Sequence, residues 1–244
     1  MGSYENINWQ KKWKKIKKSL VLTKEQRSLI IGSLLGDGTM RIGRNAINAN
    51  FKVEHGLAQK EYVDWKYQIL KPLVFTEAKI SYRYREGGEK YPKSWWFRTI
   101  RHPIFTQIYK RFYTGEGYRN GRKTVPSDIW KDMNPLVLAI WLMDDGSYAK
   151  GKADISTYSF TLEEIKLLLE NLEKVLAIEA RCYRDRDKGY RIYCNKESTR
   201  KLVEITKQYI IPSMKYKIGF RNPVTTGTLH TPKQGEDRVI NMTL

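Results

Sequence analysis

Two apolar segments of the chain each end in an acidic residue followed by glycine. The first spans residues 29–38 (LIIGSLLGDG) and the second residues 138–146 (LAIWLMDDG). If each segment is a helix, its last carboxylate lies where the helix dipole already places partial negative charge, so a cation is needed there. A hard divalent cation with oxygen ligands suits this position. Asp37 and Asp145 are therefore candidate ligands of one metal site formed by two helix ends.

Either segment alone has a simpler explanation, which is a core helix followed by a turn. Two copies in one chain, each followed by a similar pattern, favour the paired site. Neither segment approaches the roughly 20 apolar residues that cross a bilayer, which excludes a membrane span for both. The two segments are thus predicted to be short buried helices that position one acid each.

The composition of the chain predicts a polyanionic partner. Among 244 residues, 45 are Lys or Arg and 26 are Asp or Glu, which leaves a net charge of +19. Such a surplus is typical of proteins that bind nucleic acid or an anionic membrane surface. No basic amphipathic helix with a broad apolar face stands outside the predicted core, so nucleic acid is favoured. With 41% hydrophobic residues, the chain also has enough apolar side chains for a true core.

The cysteines and histidines argue against disulfide, zinc or histidine-based chemistry. Cys182 and Cys194 are the only cysteines, and two isolated cysteines form neither a disulfide framework nor a zinc motif. His55, His102 and His230 are scattered along the chain, which argues against a histidine-based metal or nucleophile site. No secretory signal is visible, and a reducing, intracellular compartment is expected.

The first acidic-ended segment has the signals of a complete helix. Thr23 and Gln26 form a capping box, which predicts a helix over residues 24–35. Gly32 and Gly36 lie one turn apart on it, so one face has almost no side chains. A close approach of another backbone is therefore expected on this face.

Residues 47–54, which follow the first segment, alternate between apolar and polar types. Ile47, Ala49, Phe51 and Val53 would form one face and the polar residues the other. This pattern is typical of a half-buried strand. Its polar face would reach toward the acidic helix end, after a hairpin turn at residues 43–45.

The order of elements repeats once along the chain. Each half is predicted to contain a helix, two strands, a helix, two strands and a helix, with a period of about 108 residues counted from Asp37 to Asp145. We therefore divide the chain into a basic N-terminal arm (residues 1–22), two halves (residues 23–122 and 123–222) and a C-terminal tail (residues 223–244). The run KKWKKIKK at residues 11–18 either tracks nucleic-acid phosphates or is a solvated arm.

These features together resemble the LAGLIDADG homing endonucleases that carry two motifs in one chain. The resemblance covers residues 23–218 and includes the runs KTVP at 123–126 and IPSMKYK at 211–217. It departs at Leu35, where the family has an acid, and at Ile140 and Asp144, which replace small residues. It implies an α+β fold in which two pseudo-symmetric αββαββα halves pack through the motif helices. Twisted antiparallel sheets would form a saddle on DNA.

The resemblance also implies a metal site at the two helix ends. Asp37 and Asp145 would bind Mg²⁺ between the DNA strands, with the main-chain carbonyls of Gly36 and Asp144 completing part of the coordination. Mn²⁺ would substitute, and Ca²⁺ would bind without supporting cleavage. Two carboxylates that share cations about 4 Å apart can supply the nucleophilic water, relieve the charge on the phosphate and stabilise the leaving oxygen.

Further residues match positions that assist catalysis in the family. Lys123 and Lys217 match the basic residues near the scissile phosphates, where they would act electrostatically or assist proton transfer through water. Taken alone, each lysine is best explained as an ordinary solvated charge, and only the runs in which they lie favour a role in catalysis. Glu54 and Tyr158 fall where strand residues help to position metal-bound water, with Asn195 as a further candidate. Because Glu54 and Tyr158 differ in type, their roles are expected to differ between the two centres.

The polar strand faces are the predicted DNA-reading surface, since a twisted sheet can follow the major groove. The residues assigned to one half-site are Arg41, Asn48, Asn50, Lys52, Arg83, Arg85 and Arg98. Those assigned to the other are Lys152, Asp154, Arg181, Tyr183, Arg191, Tyr193 and Asn195. The two sets differ, which predicts an asymmetric target, and many phosphate contacts predict steep salt dependence.

The sequence thus predicts a site-specific, metal-dependent endonuclease that hydrolyses both strands of duplex DNA. It would act as a monomer, without a protein partner or a membrane. Two alternatives use the same fold: a group I intron RNA maturase, and a DNA-binding protein without catalysis. The loss of either helix-end acid would have favoured these alternatives, but both acids are present. An organellar (mitochondrial) or nucleoid-associated location is expected.

Overall fold

Two successive halves of the chain repeat one order of elements in the computed structural model, which describes residues 19–115 and 121–220. The first half contains α1 (Lys24–Leu35), β1 (Thr39–Ile42), β2 (Ala49–Gly56), α2 (Lys60–Leu70), β3 (Lys79–Tyr84), β4 (Lys90–Arg98) and α3 (Pro103–Phe112). The second contains α4 (Pro135–Asp145), β5 (Gly146–Ala149), β6 (Lys152–Ser156), α5 (Leu162–Leu176), β7 (Arg181–Arg184), β8 (Tyr190–Tyr193) and α6 (Lys196–Thr206). The predicted αββαββα succession is confirmed in both halves.

Each half folds its four strands into one antiparallel sheet with the same strand order. The orders are β1-β2-β4-β3 and β5-β6-β8-β7. The registers also agree. Thr39 lies two residues after the first helix-end acid and pairs with Lys52, and Ser147 lies two residues after the second and pairs with Asp154. Lys52 and Asp154 are therefore equivalent positions of a pseudo-symmetric α+β fold.

The helices α1 and α4 pack against each other, and α1 begins where the sequence predicts. The Thr23 hydroxyl accepts a hydrogen bond from the Gln26 N–H, and the Gln26 side chain accepts one from the Thr23 N–H. Gly32 permits the close approach, because a Cβ atom there would lie 2.7 Å from the Val137 carbonyl oxygen of α4. The glycine face of α1 is therefore the contact between the two helices.

The helix α4 is a core helix without a solvent face. Residues 137–143 are all completely buried, as expected for a helix that is apolar on all sides. Asn134 caps its N-terminus by accepting hydrogen bonds from the Leu136 and Val137 N–H groups. Fixed by its cap and its packing, α4 holds Asp144 and Asp145 at a defined place in the fold.

The start of β2 differs from the prediction. Ile47 lies in the loop before the strand, with 90% of its surface exposed. The β1–β2 ladder ends at the pair formed by Ile42 and Ala49, so residue 47 has no partner strand. The alternation of apolar residues therefore continued two residues beyond the hydrogen bonds that define the strand.

The strand β4 contains Pro92 close to its start at Lys90. Proline cannot donate a hydrogen bond to a ladder, so Pro92 is unusual within a strand. It is tolerated because it lies beyond the end of the β2 pairing and beside a register shift in β3.

Several predictions concern residues outside the described ranges. These are the basic arm up to residue 18, including the run at residues 11–18, residues 116–120 near the boundary between the halves, and the tail beyond residue 220. Of the helices that the structure does describe, none combines the length and the apolar composition needed to cross a membrane.

Candidate active site

The ends of α1 and α4 bring acidic residues together. Asp37 directly follows Gly36, the C-cap of α1, while Asp144 and Asp145 are the last two residues of α4. The Asp37 N–H donates to Asp144 Oδ2 at 3.1 Å and so joins the two helix ends. Glycine is required at position 36, because a Cβ there would lie 2.4 Å from the Asp144 Cβ. The two predicted helix ends therefore meet at one place.

The acids of this site repel one another. The pKa of Asp145 rises to about 7, first because of burial and then because of the charges of Asp37 and Asp144. Burial and the Asp144 charge also raise the pKa of Asp37. Asp37 keeps 49% of its side chain exposed, so it is accessible from outside. Crowded carboxylates with raised pKa values are typical of functional sites, including those that bind cations.

One lysine contacts each helix end. Lys123 Nζ donates to the Gly36 carbonyl oxygen at 2.6 Å. Lys217 Nζ donates to the Gly146 carbonyl oxygen at 2.8 Å, with the Asp144 carbonyl oxygen 3.4 Å away. Burial lowers the pKa of Lys123, while the nearby carboxylates act in the opposite direction. Both lysines singled out in the sequence are thus beside the acids.

A hydrogen-bond network anchors the segment that carries Lys123. Glu164 of α5 accepts from both terminal nitrogens of Arg122 at 2.8 Å and from the Thr124 hydroxyl. It also accepts from the Thr161 N–H and completes the capping box of α5. Burial opposes ionisation of Glu164, yet these hydrogen bonds lower its pKa to about 2. The residues on both sides of Lys123 are therefore tied to a helix end, which restricts the position of its ammonium group.

A buried lysine is the main feature of the site that the sequence pattern did not predict. Lys66 of α2 forms an ion pair with Asp144 at 2.7 Å, and both side chains are completely buried. The Tyr62 hydroxyl donates to the same Asp144 oxygen at 2.8 Å. Burial lowers the pKa of Lys66, and the Asp144 charge acts in the opposite direction. Buried ion pairs need further hydrogen bonds to offset desolvation, which Tyr62 and the Asp37 N–H provide here.

His55 also lies beside these acids, a position that the scattered histidines of the sequence did not predict. Its Nδ1 is 3.5 Å from Asp37 Oδ2, and its Nε2 is 3.4 Å from Lys66 Nζ. Burial and the Lys66 charge lower the pKa of His55 to about 4, so the ring is neutral at physiological pH. Asp37, His55 and Asp144 place one ligand atom each within 4.8 Å of one another. Because Lys66 already neutralises Asp144, this group attracts a cation chiefly through Asp37.

Both unpredicted residues leave a recognisable signal in the sequence. Tyr62, Lys66 and Leu70 recur every four residues, which places a lysine on the buried face of α2. His55 continues the alternation of Phe51 and Val53 on the buried face of β2. A charged or polar side chain at a predicted core position requires a partner, and that requirement points to a site.

Glu54 lies on the outer face of β2 and is held by its neighbours on the sheet. Its carboxylate accepts from Lys52 Nζ and from the hydroxyls of Ser81 and Ser94. Burial opposes ionisation of Glu54, but the hydrogen bonds from Lys52 and Ser94 and the charges of Lys52 and Lys93 lower its pKa to about 2. Within the described ranges, no hydrogen bond or ion pair joins Glu54 to the helix-end acids. Its role with metal-bound water stays a prediction.

Tyr158 lies in the turn after β6 rather than within the strand. Its hydroxyl donates to Asp185 and accepts from Arg191 Nη1 at 3.0 Å. The register of the two sheets makes Ser156, not Tyr158, the equivalent of Glu54. The role assigned to Tyr158 at the second centre stays a prediction.

Two asparagines assigned to the DNA-reading surface are engaged in structural hydrogen bonds. Asn195 is the N-cap of α6 and accepts from the Ser198 N–H at 2.8 Å. Asn48 precedes β2, and its Oδ1 accepts from the Thr106 hydroxyl at 3.1 Å. Capping accounts for the residue type of Asn195 without a contact to DNA.

The first sheet presents cations on its outer face. Lys52 pairs with Arg98 across the β2–β4 ladder, so both side chains share this face. Lys52 and Lys79 lie over the Trp96 ring, 5.0 Å and 5.1 Å from its centroid. The other residues that the sequence assigns to this face are exposed or partly exposed: Arg41, Asn50, Arg83 and Arg85. The predicted polar face is therefore available on this sheet.

On the second sheet, predicted DNA-reading residues pair with one another. Arg191 forms an ion pair with Asp154 and donates to the Ser147 hydroxyl at 3.2 Å. The rings of Tyr183 and Tyr193 meet edge to face, with centroids 5.8 Å apart. The remaining predicted cations, Lys152 and Arg181, are exposed. The two halves therefore present different surfaces. The first has lysines stacked on Trp96 beside the ion pair of Lys52 with Glu54, and the second has the network of Arg191 with Asp154 and Ser147.

A comparison with known protein families identifies the family of this chain. The family model described as the LAGLIDADG DNA endonuclease family matches residues 27–202. The chain therefore belongs to the LAGLIDADG DNA endonuclease family. Both acidic helix ends lie within the matched residues.

Individual relatives carry two kinds of name. The chain is 31% identical over 202 residues to a cytochrome b mRNA maturase bI2 of Debaryomyces hansenii, covering 81% of this chain and 75% of the relative. It is 30% identical over 214 residues to the DNA endonuclease I-ChuI of Chlamydomonas applanata, covering 82% and 97%. The homing endonuclease I-WcaI, solved bound to its DNA recognition sequence, superposes with a TM-score of 0.74 at 24% identity, covering 85% of this chain and 92% of that one. This last likeness supports the fold.

Proposed function

We propose that the protein is a site-specific endonuclease that hydrolyses both strands of a long asymmetric DNA duplex with a divalent metal. The observation that carries the proposal is the meeting of two helix C-termini that each bear an acid and contact a lysine. The family of the chain and its net charge of +19 support duplex DNA as the substrate.

The residues at the helix ends fit a divalent cation. Burial, followed by the charges of neighbouring carboxylates, raises the pKa values of Asp37 and Asp145, and a bound cation would offset both effects. With the carbonyl oxygens of Gly36 and Asp144, which Lys123 and Lys217 contact in this structure, Asp37 and Asp145 would form an all-oxygen donor set, which Mg²⁺ prefers. We assign these four residues to Mg²⁺, expect Mn²⁺ to substitute, and expect Ca²⁺ to bind without supporting cleavage. When bound, the metal would supply an activated water and relieve charge on the phosphate.

The two lysines would stabilise the phosphates during the reaction. Lys123 and Lys217 would neutralise the charge that develops on the phosphate oxygens, one at each helix end. Burial around Lys123 lowers the local dielectric, which strengthens this attraction. Glu54 and Tyr158 would orient the attacking water from the two sheets. Water is the nucleophile in this scheme, so a covalent intermediate with a side chain is not required.

The outer faces of the two sheets would bind the two half-sites of the target. The stacked lysines of the first sheet are suited to phosphates, since contact with the Trp96 ring limits their motion. Lys52 would exchange its ion pair with Glu54 for a phosphate. Arg191 and Asp154 on the second sheet would exchange their mutual contact for base edges. Because the two surfaces differ, the two half-sites would differ in sequence and in salt dependence.

A second candidate function is RNA maturation, with the chain assisting the splicing of a group I intron. The observation that favours it is the 31% identity to a protein named as a cytochrome b mRNA maturase. The two activities use the same fold and need not exclude each other. Replacing the helix-end acids would remove DNA cleavage and leave RNA maturation, because maturation requires RNA binding rather than phosphodiester hydrolysis.

We further infer how the chain is organised. Because both helix ends belong to one chain, a monomer contains the whole site. Residues 23–122 and 123–222 would each bind one half-site, with the arm (residues 1–22) and the tail (residues 223–244) flanking them. The likeness to a cytochrome b mRNA maturase supports an organellar location.

The test is cleavage of a randomised duplex library with Mg²⁺, with Ca²⁺ and with EDTA, followed by sequencing of the ends. Discrete ends on both strands that share one long asymmetric motif, and that require Mg²⁺, are the expected result. Binding without cutting in every condition would contradict the endonuclease proposal. A splicing assay on a group I intron transcript would then test the maturase function.

A further inference from the structure

The Asp37 N–H depends on one side chain for its position. Asp37 lies beyond the C-cap of α1, whereas Asp145 is still within α4. The flanking amides of Gly36 and Gly38 donate to carbonyls of α1. Within the described residues, the acceptor of the Asp37 N–H is Asp144 Oδ2 at 3.1 Å. The peptide that joins Gly36 to Asp37 is therefore held from the second half on both sides, through its N–H by Asp144 and through its carbonyl oxygen by Lys123.

The Asp144 carboxylate is in turn held from the first half. Its other oxygen, Oδ1, binds Lys66 Nζ at 2.7 Å and the Tyr62 hydroxyl at 2.8 Å, and both Lys66 and Asp144 are completely buried. Without Lys66, a buried carboxylate would be left uncompensated, which is among the most costly changes in a protein interior. A continuous chain of contacts thus runs from Lys66 through Asp144 to the Asp37 amide.

In the second half, as far as the structure describes it, this chain of contacts has no copy. The buried residues Val63, Lys66 and Leu70 of α2 have the same spacing as Ile165, Leu168 and Leu172 of α5, so Leu168 replaces Lys66. Gly36 precedes the first acid just as Asp144 precedes the second, so glycine replaces the carboxylate. The network consequently supports one helix-end acid and not the other.

We propose that Lys66 is a positioning residue: through Asp144 it fixes the Asp37 peptide, so that the two strands of the target are cut by unequally supported centres. The inference rests on the proposed endonuclease function. A carboxylate accepts a stronger hydrogen bond than a neutral group does, and a small misplacement of a catalytic group lowers the rate steeply. Loss of Lys66 should therefore affect the centre that contains Asp37 more than the centre that contains Asp145.

The test compares Lys66→Met with Leu168→Met, a conservative change at the equivalent buried position of the second half. Each strand of the target found with the randomised library is end-labelled separately, and both cleavage rates are measured with saturating enzyme and Mg²⁺. We expect Lys66→Met to change the ratio of the two strand rates by about tenfold or more, so that nicked duplex accumulates. Leu168→Met should leave the ratio unchanged. A general loss of folding would lower both rates together and leave the ratio as it was.

A second readout does not depend on cleavage. Amide hydrogen exchange of the Asp37 N–H in the metal-free protein should be about tenfold or more faster in Lys66→Met than in the wild type. If Lys66→Met does not fold, the double variant Lys66→Met with Asp144→Asn removes both charges and serves instead. Its neutral amide is a weaker acceptor, so the same direction of change is expected.

The outcomes separate this inference from the proposed function. Equal slowing of both strands, or unchanged exchange of the Asp37 amide, would overturn the role of Lys66 even if the wild type cuts DNA. If the wild type cuts no duplex, the endonuclease proposal fails, and the exchange rates still decide whether Lys66 positions Asp37.

Discussion

The Lys123 ammonium group lies 2.6 Å from the carbonyl oxygen of Gly36, at the C-terminus of a helix from the other half of the chain. The carbonyl groups at a helix C-terminus carry partial negative charge, so a lysine there is favourable before any substrate binds. The same position lets the ammonium group face a phosphate that approaches Asp37. Lys123 thus serves the fold and the proposed chemistry from one place.

Replacing this lysine tests the electrostatic role. Lys123→Met should slow cleavage about a hundredfold and leave the affinity for DNA within a few-fold, because one of many cations is lost. Single-turnover cleavage and gel-shift titration measure the two effects. Lys207→Met is the matched control, since Lys207 is an exposed lysine paired with Glu204. A normal cleavage rate in Lys123→Met would show that this ammonium group is not needed.

Neutralising a helix-end acid should remove activity and increase stability. The pKa of Asp145 is raised from 3.8 to about 7, so its favourable contribution to folding is present below pH 3.8 and is lost as the pH rises through about 7. Asp145→Asn should therefore abolish double-strand cleavage, retain DNA binding, and raise Tm at pH 8 by about 2–4 °C relative to the wild type.

Differential scanning calorimetry of the metal-free proteins between pH 5 and pH 8.5 measures this difference, which should widen with pH. Added Mg²⁺ should stabilise the wild type and have little effect on Asp145→Asn. Asp37→Asn should behave in the same direction. Normal cutting of both strands by either variant, or a stability difference that shrinks as the pH rises, would contradict the paired-carboxylate site.

The anchor of the Lys123 segment gives a prediction with the opposite pH dependence. The pKa of Glu164 is lowered from 4.5 to about 2, so its contribution to stability is present above pH 4.5 and is lost as the pH falls toward 2. Glu164→Gln should lower the stability at pH 7 and slow cleavage about tenfold by loosening Lys123. Acid unfolding monitored by circular dichroism should show the two proteins converging below about pH 3. If the difference in stability between the wild type and Glu164→Gln were the same at all pH values, the charge of Glu164 would not contribute to stability.

The glycine contact between α1 and α4 gives a prediction about packing. A Cβ at position 32 would lie 2.7 Å from the Val137 carbonyl oxygen and 2.8 Å from the Ile140 Cβ. Gly32→Ala should therefore reduce the free energy of unfolding by about 1–3 kcal/mol. Gly56→Ala is the control, because a Cβ there meets nothing within 4 Å. Urea unfolding at pH 7 measures the free energy of unfolding of both variants. Equal values for Gly32→Ala and Gly56→Ala would refute the tight contact between the helices.

The elements of the fold could be predicted because their signals are local. The capping box of Thr23 and Gln26, the alternation along β2 and the repeated acid–glycine ends each lie within a few residues of sequence. The start of β2 could not be placed from periodicity, because Ile47 extends the apolar pattern beyond the hydrogen-bonded ladder. Strand ends depend on the partner strand, which the pattern of one segment does not contain.

The network around Asp144 could not be predicted for the same reason. Lys66 and Asp144 are 78 residues apart in sequence, and their contact depends on how the two halves pack. Asp144 stands out in the sequence as a departure from small residues, but its partner belongs to another helix. The two motif acids can be identified because they recur, whereas Lys66 and His55 occur once and have no repeat to mark them.

The contact between Gly36 and Asp144 also constrains how this chain can diverge. A side chain at position 36 would collide with Asp144, and removal of either Lys66 or Asp144 alone would leave the other as an uncompensated buried charge. Single substitutions at these three positions are therefore individually unfavourable, while coordinated replacement is not. This part of the molecule is an epistatic unit, and a lineage that acquired it would return to a symmetric helix interface only by way of destabilised intermediates.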